Sequence, residues 1–165
     1  PNSFIGINEA RTIIEYSEAY TFHKNFFGNL IDSYSLNARN RLKSGDYIKA
    51  RDYIRSLKLL FQFREEMKNS LKNFDVLIVP CNPEGVPKDR ETTGDPKFQS
   101  PWTAAGLPAI SIPSGIDNNG MPIGIQIVGN YLEDNKLLKV ANWIKNVINI
   151  DIGLPTIFND EIEKK

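Results

Sequence analysis

The chain is expected to fold as an α/β protein, a mixed β-sheet with helices packed around it. Three observations carry that expectation. Two short apolar stretches, Ala109–Ile112 and Pro122–Val128, are joined by Asp117-Asn118-Asn119-Gly120. An Asn-Gly pair is the commonest signal for a tight reversal, because glycine accepts the positive φ such turns require. Upstream, Val76–Val79 is a continuous apolar run, the pattern of a strand covered on both faces. Elsewhere, apolar residues recur every three or four positions, as on amphipathic helices.

Taken in order, Asn8 is placed to cap a first helix with Glu9 in its first turn, where the helix dipole favours an acid. That helix should run to about Phe27, with Gly28 ending it. A shorter one spans about Leu36–Leu42 and stops at Ser44-Gly45. Asp46 starts the longest, which reaches about Lys72. Its buried stripe is read as Tyr47, Ala50, Ile54, Leu57 and Phe61, continued less regularly by Met67 and Leu71.

Between Cys81 and Pro101 the chain turns polar and shows neither period, which marks a long functional or mobile loop. In the last apolar stretch, Ile123, Ile125 and Ile127 alternate with Gly124, Gln126 and Val128. This fits a strand with one branched, packed face and one closely approached face. Asp134 should cap a final helix with Leu137, Ala141, Ile144 and Ile148 inward and Lys136, Lys139 and Lys145 off that side. The tail Asp160–Lys165 is charged and expected to fray.

With 165 residues and 41% apolar content the chain can bury a core of its own. Twenty basic and twenty acidic side chains cancel, so no long-range field argues for nucleic acid or an anionic membrane. No apolar run is long enough to span a bilayer. The single cysteine, Cys81, excludes an intrachain disulfide and suits a reducing, cytoplasmic compartment. Metal ligands do not cluster. His23 and Cys81 are each the sole residue of their kind, and Asp89, Glu91 and Asp95 lack calcium-loop spacing. A Cys81–His23 dyad has no nucleophile's turn near Cys81 to support it. No cofactor, metal or phosphate-cradling loop is expected.

Three linked pieces carry a resemblance: Gly106-Leu107-Pro108-Ala109-Ile110-Ser111, then Pro113-Ser114-Gly115, then Gly120-Met121-Pro122-Ile123-Gly124-Ile125-Gln126-Ile127-Val128-Gly129. In this order and spacing they resemble the C-terminal part of the amidase signature family. Glu18-Ala19-Tyr20-Thr21-Phe22-His23, the Arg41–Tyr47 segment and Phe74–Pro80 are similar to further family features. The resemblance covers roughly Asn8 to Val147. Together with a first residue, Pro1, that is not methionine, it implies that residues 1–165 are the C-terminal portion of one amidase domain. The rest of a larger α/β/α sandwich would come from a preceding catalytic portion.

The resemblance implies an enzyme that hydrolyses a carboxamide to carboxylate and ammonia through a serine acyl-enzyme. Its Ser-Ser-Lys machinery would lie upstream, so no catalytic residue carries over and this chain alone should be inactive. What carries over is a substrate-side wall: Cys81, Asn82 and Pro83, and Phe98, Pro101, Trp102 and Thr103. Many members have threonine at the position of Cys81 and asparagine at that of Thr103. The Ser100-Pro101-Trp102 variant is similar to only a subset, so the amide stays unnamed. Trp102 is open between pocket wall and core packing. Gly106, Pro108 and Gly124 read as backbone geometry. The expected partners are a small amide and the preceding portion of the same enzyme, with a homodimer left open. Two alternatives stand beside this reading: a segment of the A component of the glutamyl-tRNA amidotransferase, and a non-catalytic module reusing the fold.

Overall fold

A computed structural model describes residues 1–27, 31–83, 85–87 and 93–153. The described residues of the chain divide into two compact units, Pro1–Phe74 with Gln99–Leu107, and Asp75–Phe98 with Pro108–Lys165. The first is helical and the second holds the sheet. Gly28, Asp89, Glu91 and the tail from Asp160 lie outside the described residues.

In the first unit, α1 spans Ile7–His23 and a 3-10 turn continues it over Lys24–Phe26. The cap is Gly6, not Asn8: Gly6 enters with φ 87° and its carbonyl accepts Ala10 N–H at 2.9 Å. Asn8 is already inside the first turn. Helix α2 spans Leu36–Ser44, and its cap Ser35 accepts the Ala38 N–H through its hydroxyl, the bond an N-cap serine supplies. Gly45 follows directly. A Cβ there would stand 2.1 Å from the Tyr16 carbonyl oxygen, so α1 and the chain leaving α2 meet at backbone distance.

The long helix, α3, runs over Ala50–Ser70, preceded by a 3-10 turn at Gly45–Tyr47 rather than starting at Asp46. Its buried face is Ser56, Leu60, Phe63 and Met67, joined by Leu71 in the next turn. The stripe read from sequence is mostly outside: Tyr47 is 84% exposed, Ile54 50% and Phe61 58%. Both sets have helical spacing, and with Leu57, Leu59, Leu60, Phe61 and Phe63 so close together period cannot choose between them. Packing chooses. Helix α1 buries Ile7, Ala10 and Ile14 on the side where α3 presents Leu60 and Phe63. Phe4 meets Phe63 edge-on at 5.8 Å.

A short helix, α4 (Ser100–Ala105), has no apolar period to announce it. Proline lies in its first turn and Gly106 ends it at φ 73°. Leu107 N–H returns to the Trp102 carbonyl at 3.0 Å. Such closure suits glycine, which carries no Cβ penalty at positive φ.

The second unit is a three-stranded antiparallel sheet of order β1-β3-β2, with β1 Leu77–Pro80, β2 Ala109–Ile116 and β3 Pro122–Val128. The three expected strands thus share one sheet. The parallel pairing of a mixed sheet does not occur among the described strands. The strand at Val76–Val79 is shifted by one residue, lies at an edge and is not covered on both faces, since Ile78 is 55% exposed.

The β2–β3 turn is held by Asp117: its Oδ1 accepts Asn119 N–H at 2.8 Å and Met121 N–H at 2.9 Å. Gly120 then sits at φ 78°. Helix α5 (Asp134–Ile148) covers one sheet face, where Leu137, Ala141 and Ile144 pack on Ile112 and Ile127, with Ile148 at the margin. Its cap position is Glu133; Asp134 is the acid of the first turn. Lys136 pairs with Asp75 at 3.0 Å.

Two outcomes follow from the helical unit. Gly45→Ala forces backbone apart and is expected to destabilise by at least ~1–3 kcal/mol; an unchanged unfolding midpoint would contradict the close approach. Glu66 accepts Ser3 Oγ at 2.6 Å, Gln62 Nε2 at 2.7 Å and Ser3 N–H at 3.1 Å. The Ser3 hydroxyl above all holds its carboxyl down from 4.5 to about 2. A folded value below the unfolded one stabilises above pH 4.5, and that contribution is lost as pH falls toward about 2. The midpoint should fall across this window less steeply in Glu66→Gln than in the wild type. Parallel curves would remove Glu66 as the cause.

Candidate functional site

The seven wall residues inferred from sequence fall into both units. Cys81, Asn82, Pro83 and Phe98 belong to the sheet unit, and all four are half-buried. Pro101, Trp102 and Thr103 belong to the helical unit, where Pro101 and Trp102 are buried and Thr103 is exposed.

Cys81 continues β1 by one residue. Its N–H donates to the Gly124 carbonyl at 3.1 Å, and its thiol donates to Ser111 Oγ at 3.5 Å. The thiol reaches β2 from β1 by crossing the middle strand at Gly124. A Cβ on that glycine would lie 3.3 Å from Cys81 Sγ and 3.0 Å from the Ile112 carbonyl oxygen. The missing side chain is what lets the outer strands touch across β3, in keeping with the alternation around Gly124. One register step away, Gln126 pairs with Val79 on one side and Ser111 on the other. Gln126 is 8% exposed and its Oε1 has no hydrogen-bond partner.

Sequence reasoning does not single out Ser111 and Gln126 as neighbours of Cys81. The available signal is Gly124 itself, since a glycine in a strand marks close approach and residues two apart share its face. Phe98 ends a 3-10 turn, with Lys97 Nζ 5.5 Å from its ring centre. Asp95 serves that turn: it accepts the Lys97 N–H at 3.0 Å and pairs with the Lys97 ammonium at 3.7 Å.

Trp102 is 5% exposed and lies 6.0 Å from the Phe4 ring in the helical unit, and its Nε1 has no partner. Arg64 Nε binds the Ala104 carbonyl at 2.9 Å and ties α4 to α3. His23 Nδ1 is engaged with Tyr34 Oη at 2.8 Å, the rings edge to face at 5.5 Å. It is a packed residue, as expected of a lone helical histidine.

Chemically, the Ser111 hydroxyl and the Cys81 thiol are paired at 3.5 Å. Among the described residues no three His, Cys, Asp or Glu side chains gather as a metal site. No described helix is long and apolar enough to cross a membrane. The arrangement can bind and shape, through a thiol, a hydroxyl and a carboxamide on one sheet face.

The family model described as Amidase matches residues 6–138. The A component of the glutamyl-tRNA(Gln) amidotransferase of Prochlorococcus marinus (strain MIT 9215) is 38% identical over 120 residues, 68% of this chain and 23% of that protein. Its counterpart in Halothermothrix orenii is 31% identical over 131 residues, 72% of this chain and 27% of that protein. The chain therefore spans about a quarter of the length of these relatives. Among solved structures, a crystal structure of amidase superposes with a TM-score of 0.78 at 25% identity, covering 87% of this chain and 36% of that one. Kluyveromyces lactis allophanate hydrolase gives 0.68 at 27% identity, covering 88% and 25%.

Burial of Trp102 against Phe4 sets an expectation for its truncation. Trp102→Ala should cost ~3–5 kcal/mol of stability and lower the activity of a full-length enzyme on every amide alike. Unfolding midpoints and kcat/KM across an amide series measure both. A small change in midpoint with altered selectivity among amides would place the ring in the substrate pocket instead.

Proposed function

This chain belongs to the amidase family, and from that premise we propose that it is the C-terminal share of an enzyme hydrolysing a carboxamide to a carboxylate and ammonia. The observation that carries the proposal is the β2–β3 hairpin. Ala109–Ser111 of the Gly-Leu-Pro-Ala-Ile-Ser piece and Pro122–Gln126 of the Gly-x-Pro-x-Gly-x-Gln piece lie on one antiparallel ladder, which runs from Ala109↔Val128 to Ile116↔Pro122 with a register shift between Pro113 and Gly115.

In the proposed reaction a serine outside this chain, relieved of its proton by a lysine-centred base, attacks the amide carbon. Backbone N–H groups hold the oxyanion that forms. The C–N bond breaks as the nitrogen gains a proton and leaves as ammonia. Water then cleaves the acyl ester to the carboxylate and restores the serine. The residues of this chain shape the site: in the sheet unit Cys81, Asn82, Pro83 and Phe98 retain accessible surface and wall the substrate, and in the helical unit Thr103 is exposed. Pro101 and Trp102 hold α4 from within. A cytoplasmic location accords with the lone thiol.

A second reading is favoured by the identity to the amidotransferase A components: the amide is glutamine, and the ammonia passes to a charged tRNA within a complex.

The test is ammonia release by the full-length protein from simple carboxamides and from glutamine, with hydroxylamine added to trap the acyl-enzyme as a hydroxamate. Release from simple amides with hydroxamate formation supports the first reading, and release from glutamine alone, dependent on added partner proteins, the second. The 165-residue chain by itself should release none. A full-length protein inert toward every amide overturns both readings, and an isolated chain inactivated by mutating its own residues overturns the division of labour.

A further inference from the structure

Within the helical unit, α1 and the chain entering α3 enclose an open cleft of about 560 Å³. Helix α1 supplies Ser17, Glu18, Thr21 and Phe22 to its lining, and the segment around the start of α3 supplies Ile48 and Tyr53. The volume falls in the range of small-molecule sites, roughly 300–1,000 Å³. None of the seven wall residues inferred from sequence lines it.

Two hydroxyl protons of the cleft are already committed. Tyr53 Oη donates to Glu18 Oε1 at 2.8 Å, and a phenol has no second proton to give. Thr21 Oγ1 donates back to the Ser17 carbonyl of its own helix at 2.8 Å. An ionised carboxylate has about four acceptor positions, of which Tyr53 fills one. Among the described residues no ion pair joins Glu18 to a basic side chain. Glu18 is exposed, so its remaining lone pairs are open to a solute. The cleft therefore offers negative charge and acceptors, with these two donors spent. An ammonium group, which brings only donors and a positive charge, is the complement.

The rest of the lining suits an apolar body behind that charge. Phe22 stays 66% exposed although its ring also meets that of Phe26 at 5.9 Å. Ile48 is half-buried. Covering such surface is favourable in proportion to the apolar area removed from water. An aromatic ring also attracts a cation held within about 6 Å of its centre.

We propose that this cleft binds a small organic cation, an ammonium carried on an aromatic or aliphatic body. Glu18 is the counter-ion, held across the cleft by Tyr53, and Phe22 and Ile48 receive the apolar body. The site stands whether or not the protein hydrolyses amides.

The test is a ligand-observed NMR titration of the full-length protein at neutral pH with phenethylammonium, phenethyl alcohol and hydrocinnamate. These probes share a phenyl ring and differ in charge. The ammonium should bind tightest and the carboxylate weakest. Glu18→Gln keeps an acceptor for Tyr53 and removes the charge. It should weaken phenethylammonium roughly 2- to 5-fold, the size of an exposed ion pair, and leave phenethyl alcohol unchanged. Phe22→Ala should weaken both by a similar factor. An ammonium bound no more tightly than the alcohol overturns the proposal, and so does an ammonium affinity unmoved in Glu18→Gln. Equal weakening of alcohol and ammonium in Glu18→Gln also overturns it, because a collapsed cleft and not a lost counter-ion would be the cause. Should Glu18→Gln fail to fold, Phe22→Ala decides alone, and unmoved affinities there overturn the site. Ammonia release does not enter this readout, so the site and the amidase reading fail separately.

Discussion

The antiparallel pairing of β2 with β3 is the constraint on which the sheet unit depends. Side chains alternate with a period of two, so slipping the register by one residue would turn every residue of a strand to the other face. In the observed register Ile112 and Ile127 lie beneath α5, while Ser111 and Gln126 share the opposite face. Asp117 holds that register from the turn end, taking two backbone N–H groups on one oxygen. At the other end Gly129 N–H binds the Pro108 carbonyl at 2.9 Å, and Gly129 packs close to Leu137. The hairpin is therefore clamped at both ends before any catalytic partner is considered.

Two glycines do comparable work in the two units by leaving out a side chain where other atoms must pass. At Gly45 the visitor is the α1 backbone; at Gly124 it is a thiol and a carbonyl. In each case the function is steric, and in neither is a positive φ involved. This accounts for glycine inside two of the family-like motifs on grounds of space. It also accounts for Cys81 and Ser111, thirty positions apart, sharing a hydrogen bond.

As chemistry, the described residues hold their histidine and Ser111 in side-chain contacts. The only histidine is engaged with Tyr34, and Ser111 is paired with the Cys81 thiol. Membership of the amidase family together with coverage of about a quarter of the amidotransferase relatives is consistent with the proposed division of labour. A serine acyl-enzyme needs a base and an oxyanion site in fixed relation to the substrate.

What the sequence determined by itself was whatever depends on near neighbours. The Asn119-Gly120 reversal, the strand Pro122–Val128 and the inward row Leu137, Ala141 and Ile144 all rest on turn chemistry or a clean period, and the structure holds them as read; the strand read as Ala109–Ile112 runs on to Ile116. The linked glycine and proline motifs likewise made the family legible. Tertiary structure decided matters of choice between equivalent local patterns. Helix α3 carries two apolar stripes of helical spacing, and only packing against α1 selected Ser56, Leu60 and Phe63 over Tyr47, Ile54 and Phe61, while Met67 and Leu71 are buried as read. Gly6 displaced Asn8 as a cap because the chain enters α1 in a left-handed conformation that glycine adopts without strain. Ser111 and Gln126 were silent in the sequence for a similar reason. Their neighbourhood with Cys81 exists only once β1 pairs with β3, a contact between segments almost fifty residues apart whose closure no local pattern encodes.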